Sequence, residues 1–134
     1  MIKKIDHIGI AVKNLKKQIR FYNDVLGIEC TGIEEIADQK VKVAMFPLGD
    51  VRIELLEPTS PDSPIARFME KKGEGIHHIA FQVEDLKGQL MKFEEKDIRL
   101  IDQEPRVGAG GHKIAFLNPL STFGVLTELC EFDP

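Results

Sequence analysis

Four side chains in this sequence have the types and settings to hold one divalent cation: His7, Glu54, His78 and Glu128. The histidines open the apolar stretches His7-Ile-Gly-Ile-Ala-Val and His78-Ile-Ala-Phe-Gln-Val, and the glutamates stand within Val-Arg-Ile-Glu54-Leu-Leu and Val-Leu-Thr-Glu128-Leu-Cys. Taken singly, a strand histidine is more often a hydrogen-bonded structural residue, and a lone glutamate is often an edge residue, or here a partner for Arg52. The recurrence of both types in two matching parts of the chain outweighs those explanations. An ionised carboxylate buried alone is costly, so each glutamate needs a proton, a charge partner or a metal. Two imidazoles and two carboxylates make an N/O set suited to Zn, Co, Ni, Mn or Fe, with coordination positions left for substrate oxygens. His77 stands opposite Asp6 of the other copy, and His112 lies in a Gly-rich turn; neither is expected to be a ligand.

The elements that must position these groups follow from an internal repeat. His7-Ile-Gly-Ile-Ala-Val-Lys-Asn-Leu15 lies over His78-Ile-Ala-Phe-Gln-Val-Glu-Asp-Leu86, and Lys42-Val-Ala-Met-Phe lies over Lys113-Ile-Ala-Phe-Leu at the same offset. Glu54-Leu-Leu-Glu57 lies over Glu128-Leu-Cys-Glu131 at an offset longer by three residues, which a short insertion around Ser121 to Gly124 would supply. Each half reads strand, helix, strand, strand, strand. In the first, a strand over about 3 to 12 precedes a helix capped by Asn14, running to Leu26 and ended by Gly27. Strands near 28 to 36, 40 to 48 and 51 to 57 follow, the last two joined by a tight Gly49-Asp50 turn. The second half predicts strands near 76 to 83, 98 to 105, 112 to 118 and 124 to 131, with a helix from about Leu86 to Lys96. The fold class is α+β: two tandem βαβββ modules, about 1–57 and 76–134, form a curved mixed sheet around the site. The connector, 58–75, carries a short helix from Pro64 to Lys71 with proline at its first position.

Strand alternation places His7 on one face with Ile5, Gly9 and Ala11, and His78 with Ile76, Ala80 and Gln82. The bulkier residues Ile8, Ile10 and Val12, and Ile79, Phe81 and Val83, point the other way, toward the helices. The small residues beside the histidines leave room for a ligand.

At 134 residues the chain fits one domain, and 43% hydrophobic with 30% charged residues is an ordinary globular composition. A net charge of -4, with 18 basic residues dispersed among 22 acidic ones, offers no electrostatic footprint for nucleic acid or an anionic membrane. The N-terminal apolar run is too short and too charged for a signal sequence, and no segment approaches a membrane span, so a cytoplasmic protein is expected. Cys30 and Cys130 have no metal-binding spacing and are expected to be packed thiols.

The chain resembles the vicinal-oxygen-chelate superfamily and, within it, the methylmalonyl-CoA epimerase family, over essentially its whole length. The resemblance rests on I-D-H-I-G-I-A-V at 5–12, I-E-L-L-E-P at 53–58, D-S-P-I-A-R-F at 62–68, G-E-G-I-H-H-I-A-F at 73–81, P-R-V-G-A-G-G-H-K-I-A-F-L at 105–117 and G-V-L-T-E-L at 124–129. The connector and the Gly-rich turn are more specific to the epimerases than to glyoxalase I. The resemblance implies that the metal ligands fall on His7, Glu54, His78 and Glu128, where position 54 is Gln or Glu among family members. It also implies an acyl-CoA substrate, a divalent ion (Co2+ favoured, with Zn2+, Ni2+ or Mn2+ as alternatives), a homodimer, and Glu128 as a catalytic acid/base. Members with a two-glutamate mechanism carry their second glutamate at the position that here is Val43, which cannot move a proton. A water, or a side chain such as Lys42, Lys113 or His112, would have to take that role. Two other readings stay open: a glyoxalase I-like isomerase, and a metal-free ligand-binding member of the superfamily. An extradiol dioxygenase is disfavoured, because such sites use two histidines and one carboxylate.

Overall fold

The computed structural model describes residues 2–131, so the first position of the first module and the last three of the second lie outside the described residues. The chain forms two compact units that divide between His77 and His78, with the residues up to Asp6 grouped with the second.

The first module contains β1 (Ile2–Ala11), α1 (Leu15–Arg20), β2 (Gly32–Ile36), β3 (Val41–Leu48) and β4 (Val51–Pro58). The connector carries α2 (Pro64–Lys72). The second module contains β5 (Gly75–Val83), α3 (Leu86–Glu95), β6 (Arg106–Val107), β7 (Lys113–Leu117) and β8 (Thr127–Glu131). The strands run β2-β3-β4-β1 in the first module and β5-β8-β7-β6 in the second. In each, the first strand pairs in parallel with the last and the remaining pairs are antiparallel. The expected βαβββ unit is therefore present twice.

The helices start where the sequence supplies caps. Asn14 Oδ1 accepts from Lys17 N at 3.0 Å, and at the equivalent place Asp85 Oδ1 accepts from Gly88 N at 3.1 Å, satisfying amides that have no partner within the helix. Buried Ser63 caps α2 by accepting from Ile65 N at 3.2 Å, with Pro64 at the first helical position. Just before it, Asp62 is held down to about 2 by a hydrogen bond from Lys40 and another from Ser60. That anchor is fully exposed and contributes little to stability at neutral pH.

Each helix covers one face of its own strands. Ile10 and Val12 pack with Leu15, Ile19 and Tyr22 of the first helical segment and with Phe46 and Leu55 of the hairpin. Val83, Leu86, Leu90, Ala115 and Leu129 form the corresponding cluster of the second module. Phe46, Leu55, Leu86, Leu90 and Leu129 are at most 1% exposed, and burial of side chains of this size contributes about 1.5–3 kcal/mol each.

The structure departs from the sequence expectations at three places. The first helix stays α-helical only to Arg20 and continues as a π-helical turn, Phe21–Val25, before Gly27 ends it at φ +70°. The strand expected from position 28 begins at Gly32, because Asn23 Oδ1 takes the Cys30 amide at 3.0 Å and holds the preceding residues off the ladder. The strand expected over 98–105 is absent apart from one bridge between Leu100 and Leu117, and β6 is only Arg106–Val107. Here Asp102 Oδ2 accepts the Phe116 amide at 2.8 Å, so a side chain replaces the backbone acceptor that a continuous strand would provide. The insertion falls where the offset placed it: after Asn118 the chain makes successive turns in which Phe123 (φ +57°) and Gly124 (φ +95°) are left-handed, and β8 starts only at Thr127. Both cysteines are free thiols, Cys130 buried and Cys30 half-buried against the first module's core.

Candidate metal centre

Within the first module, β1 and β4 run in parallel with His7 beside Arg52 and Gly9 beside Glu54. His7 lies two residues before Gly9 on the same face of β1, which brings Glu54 against the histidine. His7 Nε2 is 3.5 Å from Glu54 Oε1, and the two residues are 4% and 3% exposed. The other carboxylate oxygen, Oε2, accepts from Arg52 Nε at 3.2 Å and from Arg52 Nη2 at 2.9 Å. Arg52 Nη2 also lies 3.4 Å from His7 Nδ1, at the long limit of a polar contact.

The second module repeats this arrangement. Glu128 on β8 pairs with Ala80 on β5, the position equivalent to Gly9, and His78 Nε2 is 3.3 Å from Glu128 Oε1. Both residues are 4% exposed. Glu128 Oε2 accepts from Cys130 Sγ at 2.8 Å. The Phe116 ring meets His78 edge-on at 5.5 Å and holds the imidazole from the side. The Arg106 guanidinium lies 5.5 Å from the same ring and pairs with Asp102 at 3.3 Å.

Each histidine–glutamate couple, taken by itself, has a setting that fits a divalent cation on two grounds. First, both carboxylates are buried next to a histidine, a setting in which an anion needs a positive partner; Arg52 supplies one at Oε2 of Glu54, whereas Oε2 of Glu128 receives the neutral thiol of Cys130. Second, the nitrogen–oxygen separations exceed those of a tight charge-assisted hydrogen bond, about 2.7–2.9 Å. Two ligand atoms each about 2.1 Å from one ion, at an ordinary coordination angle, stand about 3.0–3.4 Å apart. The separations of 3.3 and 3.5 Å are close to that spacing. His7, His78 and Glu128 are buried and each offers a ligand atom.

The structure separates the remaining sequence candidates. His77 alternates away from His78 and packs edge-on against Phe68 at 4.9 Å, so it has a structural role. Val43 is 1% exposed and packs with Ala11, Val41, Leu56 and Ile65, while its partner across the ladder on β2 is Glu34. Lys42 pairs across the ladder with Glu57, and Lys113 with Glu131, which puts both lysines on the faces opposite Glu54 and Glu128. His112, in extended backbone just before β7, shares its parity with Ile114 and Phe116 and therefore the face of Glu128.

Arg52 entered the sequence reading only as an alternative to metal binding, yet the structure has it beside a glutamate that also faces a histidine. The thiol of Cys130 as a donor to Glu128 went unread, although its shared strand face with Glu128 was the available signal.

The profile of the glyoxalase/bleomycin resistance protein/dioxygenase superfamily matches residues 6–116. This is the class that the duplicated module and its paired His–Glu sites define. The chain is 49% identical over 130 residues to the uncharacterized protein YqjC of Bacillus subtilis, covering 97% of this chain and 93% of the relative. It is 37% identical over 131 residues to the ethylmalonyl-CoA/methylmalonyl-CoA epimerase of Cereibacter sphaeroides, covering 96% and 98%. A solved structure of a methylmalonyl-CoA epimerase variant from Streptomyces coelicolor, in complex with 2-nitronate-propionyl-CoA, superposes with a TM-score of 0.94 at 38% identity, covering 98% of this chain and 95% of that one. The chain belongs to the methylmalonyl-CoA epimerase family.

Proposed function

We propose that this protein interconverts the (R) and (S) epimers of methylmalonyl-CoA, with His7, Glu54, His78 and Glu128 as the protein ligands of one divalent cation. The observation that carries this reading is the recurrence of a buried histidine–glutamate couple at the same strand positions of both modules. Co2+ is the favoured ion, with Zn2+, Ni2+ or Mn2+ as alternatives, and the working form is a cytoplasmic homodimer. When bound, the cation supplies positive charge beside the substrate's oxygens as negative charge develops there.

The α-hydrogen of the substrate lies between a thioester and a carboxylate and is acidic for that reason. Its removal leaves a planar enolate that has lost its configuration, and return of a proton to the opposite face gives the other epimer. Glu128 is the group assigned to moving this proton. Its Oε2 receives the S–H of Cys130, a neutral and weak donor that leaves the carboxylate able to accept a proton. The proton on the opposite face comes from elsewhere, since Val43 has none to give and Lys42 and Lys113 point away. A water, or His112 of the Gly-rich turn, fills that role.

The competing enzyme reading is a glyoxalase I-like isomerase, and substrate choice decides between them. With Co2+ supplied, methylmalonyl-CoA should be epimerised at least about a hundredfold more efficiently than the hemithioacetal of glutathione is converted, each followed as kcat/KM. Comparable glyoxalase activity with no epimerisation would overturn the assignment. Purification without any bound divalent ion, and no uptake of added Co2+, would instead favour the metal-free binding reading.

A further inference from the structure

Glu54 and Glu128 occupy equivalent places, yet their outer oxygens are held in different ways. Glu128 Oε2 accepts from the thiol of Cys130, whereas Glu54 Oε2 receives two N–H groups of one guanidinium, at 3.2 and 2.9 Å. The position equivalent to Arg52 in the second module is Leu126, so the duplication does not account for this arginine. A carboxylate's terminal torsion is broad and is not fixed by its own rotamer. Two bonds from a rigid, planar donor to one oxygen do fix it, and the side chain that makes them is only 25% exposed. With Oε2 held in this way, Oε1 is the oxygen that faces His7 Nε2.

We propose that Arg52 is a positioning residue for the cation. By occupying Oε2 of Glu54 it aims Oε1 at the place where His7 Nε2 also points, so that half of the site is preorganised before the ion arrives. The proposal rests on the reading of Glu54 and His7 as ligands. Preorganisation and bare charge make opposite predictions. A guanidinium acting only as a positive charge near a cation site repels the ion, and its removal would tighten binding. A guanidinium acting through the carboxylate's orientation strengthens binding, and its removal weakens it. Loss of such outer partners of metal ligands costs about ten- to a hundredfold in affinity.

The test compares the full-length protein with Arg52→Met, which keeps the aliphatic stem, and Arg52→Lys, which keeps the charge but not the two-donor fork. Co2+ affinity is measured by titration calorimetry, the visible absorption of bound Co2+ is recorded, and thermal unfolding of each cation-free variant checks the fold. Arg52→Met should bind Co2+ about tenfold or more weakly with an altered visible spectrum, and Arg52→Lys should lie between it and the unmodified protein. If Arg52→Met does not fold, a weakened Arg52→Lys with an altered spectrum carries the same conclusion. Co2+ affinity that is unchanged or tighter in the folded variants would overturn the proposal and leave the ligand assignment standing. Failure of the unmodified protein to bind Co2+ at all would overturn both.

Discussion

Glu128→Gln is expected to fold normally and to lose epimerisation by about a thousandfold in kcat, within the range that removal of a positioned proton-transfer group costs. The substitution keeps the size of the side chain and an oxygen to accept from Cys130 Sγ, which now lies 2.8 Å from Oε2. Glutamine cannot accept the α-hydrogen, so the loss should fall on kcat rather than KM. The same variant should lose exchange of that hydrogen with solvent, because exchange and inversion begin with the same removal. Steady-state kinetics on a single epimer, with circular dichroism to confirm folding, checks this outcome. A kcat within about tenfold of the unmodified protein would remove Glu128 from the proton-transfer role.

The second large effect concerns the ion. His7→Ala and His78→Ala should each lower Co2+ affinity by more than about a hundredfold, since each removes a direct ligand and exceeds the cost of losing an outer partner. His77→Ala is the internal control, because His77 adjoins His78 in sequence but packs against Phe68 at 4.9 Å. It should keep its cation and lose only some stability from the ring contact. Metal content after gel filtration separates the three variants, and equal content in all of them would remove the histidines from the site.

The sequence carried the repeat, the strand faces and the two buried histidine–glutamate couples, because duplication displays the same chemical choice twice. His7 and His78, or Glu54 and Glu128, are each unremarkable alone and become informative as pairs at matching positions. Helix starts were readable for a similar reason: Asn14 and Asp85 are short polar caps at equivalent places, and both cap as expected. The misread elements are those where a side chain competes with the backbone for a hydrogen bond. Asn23 draws Cys30 away from the ladder, and Asp102 takes the amide of Phe116, so two expected strands are shortened by side chains 7 and 14 residues away. Alternation alone does not register such substitutions. The same limit applies to Arg52. Its place two residues before Glu54 was plain, but whether its guanidinium would turn toward the carboxylate or toward solvent depended on packing that strand period does not encode.

The most direct measurement follows a single epimer of methylmalonyl-CoA in deuterium oxide, with the protein loaded with Co2+, recording α-deuteration and configuration together. Deuterium should appear at the α-carbon at least as fast as configuration inverts, and both should disappear when the cation is stripped or Glu128 is replaced by glutamine. Exchange clearly faster than inversion would leave Glu128 as the only efficient proton carrier and remove the water or His112 from the opposite face. Inversion without deuterium uptake, or equal rates with and without the cation, would contradict proton transfer at a cation-dependent His–Glu centre.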